Sequence, residues 1–321
     1  MKEPMKPLST AVVGCGVWGR NHARVYKQIP DIQLKTVVDA DETKAREIGE
    51  LYKVEWSTDS QKVFEDHDID AVSICTPTVT HAEIALKAIK HGKHVLVEKP
   101  MTNTLEEAKK LIETAEKHAV QLAVGFVERF NPAVNEAMNL IDQGKIGDVI
   151  LAHTRRVSRR PLRIGDVGVI KDLAIHDIDI VNNLFPEEPD SVFCTAGSIA
   201  HAFEDYANIN LRYDGNRNAF IETNWLTPRI VRNLTITGSE GIITVHYRTQ
   251  EITVENNEQL IQPFLPYKEP LYLELQSFTN AVMNDTTPEV TGEDGLNALR
   301  ICEAALRSAK TGETVNLEDI K

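Results

Sequence analysis

Short apolar runs alternate with amphipathic helical segments through the first 127 residues, and this alternation restricts the fold more than any other feature of the chain. The runs are Leu8–Val13, Leu34–Val38, Ala71–Cys75, His94–Val97 and Gln121–Phe126. Between them, segments such as Ile84–Ile89 and Ala108–Ala115 repeat apolar residues at the three-to-four spacing of a helix with one buried face. This pattern predicts an α/β domain with a doubly wound parallel sheet. A helical protein with stray apolar runs is the alternative, but it leaves the regular strand spacing unexplained.

Two of the helical segments begin with a capping-box pattern, in which a hydroxyl and a carboxylate satisfy free N–H groups of the first turn. The patterns are Thr80-x-x-Glu83 and Thr104-x-x-Glu107. Each predicts that a helix begins at its threonine.

The pattern changes after residue 127. Helices are predicted at Pro132–Asp142, Val169–Leu184, Leu271–Met283 and Leu296–Ala309, and strands at Val149–Val157, Ala207–Leu211, Ala219–Trp225, Leu234–Ile236 and Ile242–Val245. Consecutive strands without long helices between them predict hairpins. We therefore expect two domains, residues 1–127 and residues 128–321, the second being α+β with a large, mainly antiparallel open sheet.

The acidic balance of the chain argues against polyanionic partners. Lys and Arg total 35 against 48 Asp and Glu, which gives a formal net charge of −13. A surface field of this sign disfavours nonspecific contact with nucleic acid or anionic lipid. We therefore expect a small-molecule substrate, and neither a nucleic acid nor a membrane as partner.

The cysteines indicate a reducing compartment. Cys15, Cys75, Cys194 and Cys302 lie far apart and form no C-x-x-C pair, so neither a zinc site nor a disulfide framework is predicted. The N-terminus enters an apolar strand instead of a signal-peptide core. No run approaches the roughly 18 apolar residues of a transmembrane helix. A cytoplasmic location is the simplest expectation.

A glycine-rich turn follows the first apolar run. Gly14-Cys15-Gly16-Val17-Trp18-Gly19 fits the pattern G-x-G-x-x-G and stands where a strand ends and a helix begins. Glycines there permit a tight turn, close approach of the backbone to a pyrophosphate and close packing of helix on strand. We expect a dinucleotide to bind at Gly14, Gly16, Val17, Trp18 and Gly19, which makes the first domain a Rossmann domain. A plain strand-to-helix turn is the alternative.

Asp39 stands 20 residues beyond Gly19, at the end of the second apolar run. A carboxylate at this position can accept hydrogen bonds from the adenosine ribose and would repel a 2′-phosphate. Because Ala40 and Asp41 supply no cation, NAD is predicted over NADP. The alternative is that Asp39 caps a helix.

A charged pair and a proline, Glu98-Lys99-Pro100, follow the run His94–Val97. Ligands of an open α/β sheet lie outside the carboxyl ends of its strands, so both charged side chains should face the coenzyme crevice. A lysine there can relay a proton if burial and a cationic nicotinamide lower its pKa. The alternative is a solvated Glu–Lys pair where a proline stops the strand.

Asp172 and His176 stand four residues apart within a predicted helix and therefore share one face. A carboxylate beside an imidazole can orient it as a general base. Asp177 and Asp179 are expected to be structural or solvated. A surface acid–histidine pair is the alternative, and no metal is predicted because a third ligand is missing.

Together these segments resemble the Gfo/Idh/MocA family, which includes glucose–fructose oxidoreductase and inositol dehydrogenase. The resemblance rests on GCGVWG, VEKP, DLAIHDID and TGEDGLNALRICEAALRSAKTGE and spans nearly the whole chain. It implies an NAD-binding domain followed by an α/β domain whose open sheet forms the substrate site and the oligomer interface. A homodimer or homotetramer through that sheet is expected.

The resemblance also implies roles for individual residues. Catalysis and substrate contact fall to Lys99, Asp172 and His176. The coenzyme site, where Glu98 is associated with the nicotinamide ribose, includes Thr76, Pro77, His81 and Glu98.

An arginine cluster precedes the Asp172 helix, in a chain that is acidic overall. It consists of Arg155, Arg156, Arg159, Arg160 and Arg163. Guanidinium groups suit a diphosphate, and Arg155, Arg160 and Arg163 are predicted to bind the substrate. The alternative is that the arginines pair with acidic side chains of a neighbouring subunit.

The passages GFVERFNPAV and RRPLRIGDVGVIKDLAIHDIDI resemble the archaeal-type UDP-N-acetylglucosamine 3-dehydrogenases within the family. The expected activity is therefore NAD-dependent oxidation of a secondary sugar hydroxyl, at C3 of UDP-N-acetylglucosamine. An inositol or free-sugar dehydrogenase, a noncatalytic NAD(H)-binding regulator and a glycoside hydrolase that retains NAD are the alternatives.

Overall fold

A computed structural model describes residues 7–159 and 165–320, which fold into two compact units. The first unit consists of residues up to Gly125 together with Leu271–Leu296. The second consists of Phe126–Pro270 and the residues from Asn297 onward.

The first unit is built on a parallel sheet of six strands. They are β1 Leu8–Val13, β2 Ile32–Val38, β3 Glu55–Ser57, β4 Ala71–Ile74, β5 His94–Glu98 and β6 Leu122–Gly125, in the order β3-β2-β1-β4-β5-β6. Strands β1, β4 and β6 are buried along their whole length, which is why most of their residues are apolar. The predicted doubly wound sheet is confirmed. The strand order reverses between β1 and β4, the place where such sheets bind ligands.

Five helices connect these strands. They are α1 Val17–Tyr26, α2 Glu42–Tyr52, α3 Ser60–Glu65, α4 Thr78–Lys90 and α5 Leu105–Lys117. Thr104 and Glu107 form the predicted capping box of α5. The prediction for Thr80 is wrong, because the chain becomes helical directly after Pro77. Thr80 therefore lies inside α4, where its hydroxyl donates to the Pro77 carbonyl.

A later segment of the chain returns to the first unit. It contains α8 Pro270–Asn284 and the beginning of α9 Gly292–Thr311. α8 buries Leu275 and Phe278, and the Val124 N–H donates to the Val290 carbonyl at 3.3 Å. Residues 271–296 thus belong to the first unit, whereas the predicted boundary at residue 127 assigns them to the second domain.

The second unit is built on a sheet of nine strands among the described residues. They are β7 Val149–Arg159, β8 Ser191–Gly197, β9 Tyr206–Arg212, β10 Asn218–Asn224, β11 Leu226–Gly238, β12 Ile242–His246, β13 Glu251–Glu255, β14 Leu260–Ile261 and β15 Val315–Asn316, in the order β14-β13-β12-β11-β7-β10-β9-β8-β15. Strands β7 and β10 pair in parallel, and the other neighbours pair antiparallel. The predicted mainly antiparallel sheet is confirmed.

Helices of the second unit cover one face of this sheet. α6 Pro132–Asp142 begins and ends where predicted, since Asn131 caps it and Pro132 occupies its first turn. The predicted helix Val169–Leu184 contains a π-helical segment, Ile170–Ala174, that leads into α7 Ile175–Asn182. No helix in the described ranges combines the length and the apolar character that crossing a bilayer demands.

Candidate active site

The glycine-rich loop joins β1 to α1. Gly14 has a φ of +98°, and a Cβ on Gly19 would lie 1.6 Å from the Gly14 carbonyl oxygen, so both positions require glycine. A Cβ on Gly16, in contrast, would meet nothing within 4 Å. Open space therefore lies in front of the N-terminus of α1, beside the exposed Val17 and the half-buried Trp18. A plain turn has no use for glycine at Gly16, whereas a pyrophosphate that approaches the backbone does.

Asp39 follows β2 and folds back onto this loop. Its Oδ2 accepts a hydrogen bond from the Cys15 N–H at 2.7 Å, and its Oδ1 accepts one from the Asp41 N–H at 2.9 Å. Because a carboxylate has about four acceptor sites, Asp39 retains capacity for ribose hydroxyls. The helix cap of α2 is Asp41, which accepts from the Thr43 N–H. The alternative that Asp39 is that cap is therefore wrong.

We expect NAD to bind more tightly than NADP, and Asp39→Ala to narrow the difference, because the substitution removes both the attraction to ribose and the repulsion of a 2′-phosphate. Titration of each coenzyme against intrinsic fluorescence, to which Trp18 contributes, measures both affinities. Asp39→Asn removes the charge but keeps an acceptor for the loop, and so separates electrostatics from loop distortion. Tighter NADP binding by the wild type would contradict this role.

The loop after β4 carries Thr76, Pro77 and, on α4, His81. The His81 ring is buried, and its Nδ1 and Nε2 lie 2.9 Å from the Pro100 carbonyl oxygen and 2.8 Å from the Thr76 carbonyl oxygen. His81 thus ties the loop after β4 to the loop after β5. Its contacts indicate that it shapes the predicted coenzyme wall through these two loops.

Glu98 ends β5 as a buried side chain, and the half-buried Lys99 follows it. Glu98 Oε1 lies 3.0 Å from Nε2 of the buried His22, and its Oε2 accepts the Lys99 N–H at 3.3 Å. The Lys99–Pro100 peptide bond is cis. Since Glu98 is enclosed and bonded to a histidine of α1, the alternative of a solvated Glu–Lys pair is wrong. The sequence patterns did not indicate a role for His22. Its position one helical turn after the glycine-rich loop is the signal that could have indicated one.

Asp172 lies in the π-helical segment and His176 in the first turn of α7. Both side chains are buried, which excludes the alternative of a surface acid–histidine pair. The Phe126 ring packs edge-on against the His176 imidazole, with 6.3 Å between ring centroids. An apolar wall on the imidazole restricts its orientation, as a general base requires.

Two arginines anchor α7 through acidic residues next to His176. Arg156 donates from Nε and Nη2 to both oxygens of Asp177, at 2.9 and 3.0 Å. Arg129 donates in the same way to Asp179, at 2.8 and 2.7 Å. Planar bidentate pairs fix both distance and orientation. Asp177 and Asp179 are therefore structural, and the pairs hold the helix that carries His176 in register.

The arginines of β7 point to opposite faces of the sheet, as strand alternation predicts. Arg156 is 1% exposed on the face that α7 covers, whereas Arg155 forms an ion pair of 3.0 Å with Glu222 of β10 on the other face. The structure therefore does not bring Arg155 together with Asp172 and His176. Its acidic partner belongs to its own chain. Arg160 and Arg163 lie outside the described residues.

Comparison with known proteins agrees with this arrangement. Residues 8–126 match a family described as an oxidoreductase family with an NAD-binding Rossmann fold, and residues 138–317 match the corresponding C-terminal alpha/beta domain. The chain belongs to the Gfo/Idh/MocA family. Its first unit is therefore an NAD-binding domain, and the open space at Gly16 and the spare acceptor capacity of Asp39 fit that coenzyme.

Relatives within the family match almost the full chain. Scyllo-inositol 2-dehydrogenase (NAD(+)) of Bacillus subtilis is 33% identical, over 96% of this chain and 96% of its own length. Myo-inositol 2-dehydrogenase of Thermotoga maritima is 30% identical, over 98% and 99%. Among solved structures, UDP-N-acetylglucosamine 3-dehydrogenase of Acidithiobacillus ferrooxidans superposes with a TM-score of 0.87 at 26% identity, over 94% of this chain and 98% of its own.

Proposed function

We propose that this protein is an NAD-dependent dehydrogenase that oxidises a secondary hydroxyl on a sugar or cyclitol ring to a ketone. The proposal is carried by the buried Asp172 and His176 on one anchored helix, in an oxidoreductase whose other unit binds NAD. A noncatalytic NAD(H)-binding regulator has no need of an anchored acid–histidine pair together with Lys99.

The proposed roles follow from the chemistry of each side chain. His176 removes the hydroxyl proton as general base, and Asp172 orients the imidazole and the hydroxyl. Lys99 contributes a second proton-transferring group from the end of β5. Bound NAD would supply the hydride acceptor, so that the C–H bond of the carbinol carbon would break as its carbonyl forms.

A neutral cyclitol is the better-supported substrate. Relatives of 33% and 30% identity over almost the whole chain are inositol dehydrogenases. Arg155 and Arg156 each form an ion pair with a carboxylate of this chain. Two of the five arginines that suggested a diphosphate ligand therefore have another partner. UDP-N-acetylglucosamine remains a second candidate because Arg160 and Arg163, predicted to bind the substrate, lie outside the described residues and a solved dehydrogenase of that substrate shares the fold.

A panel of inositols, free sugars and UDP-sugars, assayed by NADH absorbance, tests the proposal. We expect an inositol to be oxidised and UDP not to compete with it. Oxidation of UDP-N-acetylglucosamine, with competitive inhibition by UDP that weakens as salt is added, would instead establish the nucleotide sugar.

In that second outcome, Arg160→Ala or Arg163→Ala should weaken UDP-sugar binding by roughly 1.5 to 3 kcal/mol, the scale of a hydrogen bond to a charged group. Arg155→Ala, on the opposite face of the sheet from α7, is the matched control and should leave UDP-sugar binding unchanged.

NAD binding without turnover of any compound would indicate a regulator. Release of an aglycone without net NADH would indicate a glycoside hydrolase.

A further inference from the structure

A buried carboxyl group on α8 has no role in the function described so far. Glu274 is 1% exposed, and within the described residues neither of its side-chain oxygens has a hydrogen-bond partner. Acidic side chains are rarely enclosed without a partner, because transfer of the charged form out of water is costly. The position therefore calls for a chemical reason.

Three groups of the first unit, among the residues that the structure describes, interact electrostatically with Glu274. They are Glu98 at the end of β5, Tyr26 on α1 and Cys75 after β4. None of the three supplies a positive charge. The Tyr26 hydroxyl is already paired with the Ser73 hydroxyl at 2.6 Å, and His22 of α1 is bonded to Glu98.

Two neighbouring buried carboxyl groups without a full counter-charge hold at least one proton between them, because like charges at short range oppose ionisation. Glu98 already has hydrogen-bond partners, at His22 and at the Lys99 N–H. Glu274 has none within the described residues. The proton therefore belongs on Glu274, whose pKa is raised well above its usual range by burial and by the charge on Glu98.

We propose that Glu274 is a positioning residue that makes the preference of the coenzyme site for cationic NAD⁺ over neutral NADH depend on pH: as a neutral acid it leaves a single negative charge, on Glu98, and on ionising it adds a second. The proposal rests on the proposed role of Glu98 beside the nicotinamide ribose. Glu274 acts through Glu98 and does not itself contact the coenzyme.

The charge of the pair changes with pH. As pH rises through the raised pKa of Glu274, the second carboxyl ionises and adds a negative charge that favours NAD⁺. The ratio of the NADH dissociation constant to that of NAD⁺ should then increase severalfold, because a second negative charge attracts the cationic nicotinamide and not the neutral one. By linkage, NAD⁺ binding should release more protons than NADH binding does in that pH range.

Fluorescence titration of both coenzymes from about pH 5 to about pH 9 measures this ratio, a range that includes the highest values reached by buried glutamates. Calorimetry in buffers of different ionisation enthalpy measures the protons released.

Glu274→Gln keeps the shape of the side chain and cannot ionise. The pH-dependent increase in the ratio of the two dissociation constants should therefore vanish, while the value of that ratio at low pH is retained. Cys75→Ser, which removes the neighbouring thiol, should keep the increase. Glu274→Met is a second neutral variant in case the glutamine folds poorly.

A pH-dependent increase that persists in Glu274→Gln, or an equal loss of affinity for both coenzymes, overturns the inference. Glu98→Gln distinguishes this failure from that of the proposed site. If Glu98→Gln changes the NAD⁺ to NADH ratio and Glu274→Gln does not, the inference about Glu274 alone is wrong. If neither variant changes the ratio, Glu98 does not lie beside the nicotinamide and the proposed site itself is wrong. No substrate is needed for these measurements.

Discussion

Alanine at Lys99 or at His176 should lower kcat by roughly 10² to 10⁴, the usual cost of losing a positioned proton-transfer group. Coenzyme affinity should change little, because neither side chain belongs to the glycine loop or to Asp39. His176 is buried against Phe126 on an anchored helix, so alanine leaves this enclosed position without its proton acceptor. Turnover is measured on whichever ring alcohol the NADH panel identifies.

Matched controls exist for both positions. His153 lies on the exposed face of β7 beside Phe220, and Lys87 lies on the surface of α4 in an ion pair with Glu83. His153→Ala and Lys87→Ala should retain normal kcat. Near-normal kcat in Lys99→Ala or in His176→Ala would require that its catalytic role be withdrawn.

Local signals explain why much of the fold could be predicted from sequence. α6 begins and ends at the predicted residues because an asparagine cap and a proline define its start and an apolar face continues to its end. Strands β1 and β4 are mostly apolar because both of their faces are buried. β3, in contrast, has three residues, of which two are exposed. Neither its length nor its pattern of apolar residues therefore predicts a strand.

Nonlocal pairing accounts for what could not be predicted. α8 packs with a sheet whose strands lie about 150 residues or more earlier in the chain, and no local pattern indicates that return. In the sequence, His22 and Glu274 are ordinary helix positions. Only the fold shows that both interact with Glu98. The arginine cluster divides in the same way, since only the sheet register reveals that Arg155 pairs with Glu222 and Arg156 with Asp177.

Removing either partner of the Arg156–Asp177 pair should destabilise the protein by about 3 to 5 kcal/mol, because a buried charge is left uncompensated. Arg156 also donates to Glu128 at 2.9 Å, and its guanidinium carbon lies 4.9 Å from the centre of the Tyr247 ring. Although burial alone would lower it, the pKa of Arg156 is raised well above its usual value by Asp177 and Glu128. Loss of the proton from Arg156 therefore cannot reduce the free-energy cost of burying its charge.

Urea unfolding of Asp177→Ala and Arg156→Met measures the loss. Arg155→Ala is the matched control on the same strand, because its ion pair with Glu222 is substantially exposed, and it should cost at most about 1 kcal/mol. Similar stabilities for Asp177→Ala and Arg155→Ala would show that the enclosed pair contributes no more than a surface pair.

The double variant Arg156→Met/Asp177→Leu separates the value of the pair from the cost of breaking it. Each single substitution isolates one buried charge, whereas the double substitution removes both charges and restores apolar contacts of similar volume. It should therefore be more stable than the summed losses of the single variants Arg156→Met and Asp177→Leu predict, although Glu128 keeps Arg232 as a partner only at 3.4 Å and limits the recovery. Since Asp177 adjoins His176, the double variant should also regain stability without regaining full kcat: the bidentate pair that sets the register of α7 would still be missing.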